Sequence, residues 1–186
     1  MIIEDRDIIN DYEKNIINNE ILGTEFPFYW HPYQIIGDNC PYMRHNIIDR
    51  DTQEVRSDII NFFDPIINRF LKKHNISFKK YLRACINLTF PIKNEDIGIL
   101  HIDHYVPHSS ILIYLNDSDG ETIFFDYDYD FSKNEQTNLI NLNKNKKILK
   151  DIKPEKYKLV YVKDALFHCL RFPKNNIRLI SVFTFI

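Results

Sequence analysis

Segment 98–126, GILHIDHYVPHSSILIYLNDSDGETIFFD, concentrates the residues that could do chemistry. It holds three of the chain's seven histidines, His101, His104 and His108, with Asp103 between the first two. On an extended chain, residues two apart project from the same face, so His101 and Asp103 can present an imidazole and a carboxylate to one ion. A third ligand from elsewhere would complete a set of two histidines and one carboxylate. That set suits ferrous iron, which it binds firmly while leaving adjacent positions open. His168 is the natural candidate, because it follows the strand-like KYKLVYV and the turn KDAL. Ten residues on, Arg178 opens the apolar terminal run RLISVFTFI. A guanidinium stays charged there and needs an anionic partner; a ligand carboxylate held by two parallel hydrogen bonds is the obvious one.

The elements that must position these residues fall into two groups. Ile8, Ile9, Tyr12, Ile16 and Ile17 recur at three- and four-residue spacing and predict one helix. A second is predicted over about 53–73, with Ile59, Phe62, Phe63, Ile66, Ile67, Phe70 and Leu71 inward. Pro65 should kink it or restart it, with Asp64 as a cap for the restart. After residue 80 come short β-branched and aromatic runs at 81–90, 98–103, 109–116, 121–126, 157–163 and 177–186. Helices first and strands later predict a mainly β fold, a sandwich or barrel with flanking α-helices. The Asn- and Lys-rich segment 132–153 is expected to be a solvated loop.

Composition bounds the function. The 186 residues suffice for one domain with a sizeable core, divided into a helical support region over about 1–75 and a strand-rich core over about 80–186. A net charge of −2 argues against a nucleic-acid-binding face. Cys40, Cys85 and Cys169 include no CxxC pair, so a cysteine zinc site is not expected and a reduced, cytoplasmic setting is. Cys169 adjoins His168, but neighbours on a strand point to opposite faces, so the thiol is expected to be buried and inert. Neither a signal peptide nor a membrane span is evident, and no membrane partner is expected.

HxD, a histidine some 65 positions later and an arginine about ten beyond it resemble the Fe(II)/2-oxoglutarate-dependent oxygenases. The prolyl 4-hydroxylase-like branch is closer still: it carries a YLN…GGET.F signature, and this chain has YLNDSDGETIFF from Tyr114 to Phe125. The segment is also similar to small oxygenases of marine bacteriophages. The resemblance implies a double-stranded β-helix, or jelly roll, of cupin-like type. It implies iron ligands His101, Asp103 and His168, and 2-oxoglutarate held at its far carboxylate by Arg178 and Tyr114. O2 is then the oxidant, with ascorbate as a supporting reductant. The chain departs from the family pattern at Ile180, where a serine often follows the arginine, and at Asp119, which replaces the first glycine of GGET. Asp103 keeps the carboxylate that halogenating members lack, so hydroxylation is the expected outcome.

Other residues stay open at this level. His104 has the wrong parity for the ligand set and should pack behind it or face solvent. Asn87 and Arg83 could face the co-substrate or serve the core, and Arg171 rivals Arg178 by charge. Phe28, Tyr29 and Trp30 could line a cleft or join the core. Two other classes compete: a zinc metallohydrolase built on HIDH, which lacks HExxH or a cysteine cluster, and a jelly-roll binding module without catalysis. The primary substrate, protein, peptide or small molecule, is not legible.

Overall fold

The computed structural model describes every residue except Ile36, Asn39 and Asn145. Seven strands form a large antiparallel sheet: β1 (Ile2–Asp5), β2 (Tyr29–His31), β3 (Tyr42–Ile48), β4 (Tyr81–Thr89), β5 (Ser109–Tyr114), β8 (Leu159–Val162) and β10 (Arg178–Phe185). Their spatial order is β1-β8-β5-β10-β4-β3-β2. A smaller sheet, ordered β7-β6-β9, contains β6 (Thr122–Asp128), β7 (Ile148–Ile152) and β9 (Leu166–Leu170). The two sheets share one apolar cluster, in which Cys85, Leu112, Tyr114, Val160, Ile180 and Val182 meet Phe124, Ile152 and Leu166. This is the lumen of a jelly roll, as expected.

Because strand side chains alternate, the opposite face of the large sheet carries a second core. Ala84, Ile86, Ile111, Ile113, Leu179 and Phe183 pack there against helix α2 (Ile60–Lys73). The inward residues of α2, Phe63, Ile66, Ile67, Phe70 and Leu71, are all buried. Each such burial contributes about 1.5–3 kcal/mol, which together exceeds the ~3 kcal/mol cost of an internal proline. Pro65 therefore sits inside one continuous helix and does not restart it. Asp64 does not cap either; its carboxylate accepts from the Tyr81 hydroxyl at 2.6 Å. Residues 53–59 lie outside the helix.

The first 75 residues, expected as helical support, also give β1, β2 and β3 to the large sheet. Ile2–Asp5 pairs with β8, and the helix α1 (Asp11–Ile16) starts only after Asn10. Asn10 sets that start through a capping box, accepting from the Glu13 amide and donating to the Glu13 carboxylate, both at 2.9 Å. Ile8 and Ile9 are buried ahead of the cap, Ile17 opens a π-helical turn to Ile21, and Tyr12 is 73% exposed.

Segment 132–153 is not a loop. It contains helix α3 (Glu135–Lys144) and strand β7. Asn134 accepts from the Thr137 amide at 2.8 Å as a cap. The buried Asn138 amide donates to the carbonyls of Asp130 and Asn134, and Leu142 joins the core outside the small sheet with Phe125, Phe167 and Cys169.

Candidate active site

Between β4 and β5 the chain crosses the mouth of the lumen without forming a ladder, so 98–103 is not a strand. It is tied to β9 and the residues after it by two isolated antiparallel bridges, Ile97 with Arg171 and His101 with His168, and by the Gly98 N–H donating to the Leu170 carbonyl at 2.7 Å. His101 and His168 exchange both backbone hydrogen bonds, His101 N–H to the His168 carbonyl at 3.0 Å and the reverse at 2.9 Å. That bridge sets the imidazoles side by side, with ring centroids 4.3 Å apart. Asp103, two residues on, turns to the same side, and Ile102 between them joins the core beyond the small sheet. Ligand atoms of His101, Asp103 and His168 all lie within 4.8 Å of one another.

Each histidine is fixed from behind. The Nδ1 of His101 lies 3.0 Å from the Ile99 carbonyl, and that of His168 lies 3.0 Å from the Leu166 carbonyl. A carbonyl only accepts, so Nδ1 carries the proton and each Nε2 keeps its lone pair for a ligand role. Burial, with the neighbouring His168, holds His101 neutral and pushes its pKa down to about 3. Asp103 stays ionised although buried: desolvation opposes the charge, but Arg83 and the adjacent histidines outweigh it and lower its pKa. Arg83 Nη2 donates to one carboxylate oxygen at 3.0 Å, and Ser110 Oγ donates to the other at 3.1 Å. Two imidazoles with Nε2 turned towards one point and an oriented carboxylate form a donor set that fits a divalent transition metal.

Deeper in the lumen, Arg178 is buried and forms no ion pair among the described residues. Its Nη2 donates to Thr122 Oγ1 at 2.7 Å, and its buried Nε has no partner. Tyr114 is fully buried; its hydroxyl lies 2.7 Å from the same Thr122 oxygen, and the guanidinium carbon is 5.7 Å from its ring centre. A buried guanidinium served only by neutral oxygens fits an anionic ligand. Gly120 makes room for it, since a Cβ there would stand 3.1 Å from Arg178 Cδ and 3.0 Å from Pro173 Cδ.

The open choices resolve physically. Arg171 is spent on Glu121 at 3.0 Å and Asp151 at 2.9 Å, on the rim. Ile180 faces the lumen opposite Tyr114, while Ser181 donates to the Cys85 carbonyl on the far side. Asp119 binds Asn175 through its carboxylate, at 2.6 Å to the side-chain amide. Burial lowers the His104 pKa, and its Nδ1 has no partner; His108 is buried and donates to the Val106 carbonyl at 2.7 Å. Phe28 packs with the helix-side core, whereas Tyr29 and Trp30 lie exposed on the edge strand β2. Cys169 is buried, on the face opposite His168, with its pKa pushed up to about 11 by burial.

Sequence reasoning missed Ser110 and Thr122. Both were within reach of the parity rule: Ser110 shares a strand face with Leu112 and Tyr114, and Thr122 shares one with Phe124. Arg83 was left undecided, because no local signal shows that its partner lies 20 residues on.

No protein-family model matches the chain, and no curated protein matches it in sequence. Solved structures do match. A 2OG-Fe(II) oxygenase family oxidoreductase from Burkholderia pseudomallei aligns at TM-score 0.69 and 14% identity, over 98% of this chain and 84% of that one. A Pseudomonas putida prolyl-4-hydroxylase aligns at TM-score 0.57 and 12% identity, over 99% and 91%. HygX from Streptomyces hygroscopicus, solved with nickel and 2-oxoglutarate bound, aligns at TM-score 0.57 and 14% identity, over 98% and 81%. The chain thus has the fold of the 2-oxoglutarate- and Fe(II)-dependent oxygenases, that of the prolyl 4-hydroxylases included. Among the described residues, no helix is long and apolar enough to cross a membrane.

Proposed function

We propose that the protein is an Fe(II)- and 2-oxoglutarate-dependent dioxygenase of prolyl 4-hydroxylase-like type, coupling decarboxylation of 2-oxoglutarate to hydroxylation of a substrate C–H bond. The observation that carries this reading is the pairing, within one lumen, of the His101–Asp103–His168 cluster with a buried arginine that has no acid partner among the described residues. His101, Asp103 and His168 would hold the iron, and Arg178 with Tyr114 and Thr122 would hold the distal carboxylate of 2-oxoglutarate. When bound, iron and 2-oxoglutarate supply the activation of O2 that no side chain supplies.

The chain's own residues prepare that chemistry. The carbonyls of Ile99 and Leu166 fix the ligand tautomers. Arg83 and Ser110 occupy the Asp103 oxygens and orient the carboxylate. Leu112, Phe124, Val182 and Leu166 form the apolar part of the lumen wall and would exclude water from the reacting centre.

The test is succinate formation from 2-oxoglutarate with Fe(II), O2 and ascorbate. Wild type should make succinate even without a primary substrate, at a slow rate, and His101→Ala, Asp103→Ala and His168→Ala should abolish it while remaining folded. Arg178→Met should weaken 2-oxoglutarate binding, measured anaerobically. A protein that binds zinc in preference, ignores 2-oxoglutarate and hydrolyses esters or amides would sink this reading in favour of a metallohydrolase.

A further inference from the structure

We infer that the cavity in front of His101 takes a small-molecule primary substrate carrying an oxyanion, a carboxylate or a phosphate, with Arg44 as the residue that binds it. This rests on the oxygenase reading and deepens it.

The cavity has a volume of about 560 Å3 and reaches from the lumen face of β3 and β4 to a rim at Tyr33, Tyr105 and Glu135. That size falls among small-molecule sites. Arg44 on β3 is the register partner of Asn87 on β4, and both line the cavity. The Arg44 guanidinium donates to Asn46 Oδ1 at 3.1 Å, and its buried Nε has no partner. It forms no ion pair among the described residues; Asp49 acts on it through space without an ion-pair contact, and Asn46 bridges the two, its Nδ2 donating to Asp49 at 3.3 Å. The buried Oδ1 of Asn87 is also unpartnered.

Charge accounting separates this group from the co-substrate. Three arginines, Arg44, Arg50 and Arg83, line the cavity, against one acid, Glu135. Arg83 is neutralised by Asp103. 2-Oxoglutarate has two carboxylates; the proposed iron takes one and Arg178 the other. Among the described residues Arg44 is left without an ion pair, on a different strand from Arg178 and on the His101 side of the lumen. A partly desolvated guanidinium with neutral partners binds an oxyanion through charge-assisted, two-point hydrogen bonding. Arg50 at the cavity edge adds to the attraction and disfavours cationic substrates. The Asn87 amide lies beside Arg44, placed to meet a polar group on the same molecule.

The experiment uses the full chain loaded with Fe(II) and compares three probe sets: free L-amino acids, the corresponding amino acid amides, and nucleoside monophosphates. Succinate formation and anaerobic 2-oxoglutarate affinity are read for wild type, Arg44→Met, Arg44→Lys and Arg178→Met. Stimulation of succinate formation by free acids, or by monophosphates, with none from the amides is the expected result, and the active set names the oxyanion. Arg44→Met should raise KM for the active probe by about 30-fold or more, Arg44→Lys should recover part of the loss, and both should bind 2-oxoglutarate as wild type does. Equal stimulation by acids and amides overturns the inference, as does absence of stimulation by any anionic probe in a protein that binds 2-oxoglutarate. So does a loss of 2-oxoglutarate affinity in Arg44→Met equal to that in Arg178→Met. A wild type that binds no 2-oxoglutarate overturns the oxygenase reading itself.

Discussion

The two faces of the large sheet use the same backbone for opposite ends. On β10 the outer residues Leu179, Ser181, Phe183 and Phe185 lie on the helix side, and three of them join its core. The lumen residues Arg178, Ile180, Val182 and Thr184 begin with a charge that has no acid partner among the described residues. On β4 the outer Ala84, Ile86 and Leu88 back onto the lumen's Arg83, Cys85, Asn87 and Thr89. The outer face can be apolar because its task is only to exclude water. The lumen carries buried polar atoms that a stability-driven core would not retain, and the outer face stabilises the sheet that carries them.

That division can be broken from either side. Phe183→Ala should cost about 3–5 kcal/mol in denaturant unfolding, since it removes a fully buried ring from the helix-packed core. Metal stoichiometry of the folded protein should not change; a specific loss of metal binding would show that the two faces are not independent.

Acid should act through the lumen. His101 is held neutral to about pH 3 against an ordinary value of 6.5, so between these limits the unfolded chain binds the extra proton. Stability of the metal-free protein must therefore fall as pH drops from about 6.5 towards 3. Asp103, also lowered, adds loss below its ordinary 3.8. Thermal unfolding of His101→Gln across this window should show a shallower fall, and an unchanged slope would remove His101 from the account.

Arg83→Met leaves the outer face intact and frees one Asp103 oxygen. Metal affinity, by calorimetry with Mn(II), should drop about 10- to 100-fold, and Arg83→Lys should restore part of it. The smallest effect belongs to the rim: Arg171→Ala removes half-exposed ion pairs with Glu121 and Asp151 and should change stability by less than about 1 kcal/mol. A large effect there would blur the contrast between lumen and surface.

Much of this was legible in the chain. The inward stripe of α2 and the cores of β4, β5, β6, β8 and β10 follow from periodicity alone. The elements that escaped have mixed patterns for physical reasons. β1 (IIED) and β7 (ILKDI) are sheet edges, where one side of the ladder faces away from a neighbour and charges are tolerated. β9 was hidden because KDALFHCL carries turn residues and a site histidine in a five-residue strand. α3 looked like solvent because its apolar contribution rests largely on Leu142 and a hydrogen-bonded Asn138. Parity placed His101 and Asp103 on one side although 98–103 forms no strand, because isolated antiparallel bridges at Ile97 and His101 set the local alternation. What parity could not supply was pairing between distant residues, such as Arg83 with Asp103 or Arg178 with Thr122.

The His101–His168 bridge has a consequence for how such a site endures sequence drift. Two of the three candidate ligands are joined through main-chain hydrogen bonds, so their spacing depends on peptide geometry and hardly at all on which side chains surround them. A candidate ligand pair clamped by its own backbone is the part of the site least exposed to substitution of the side chains around it.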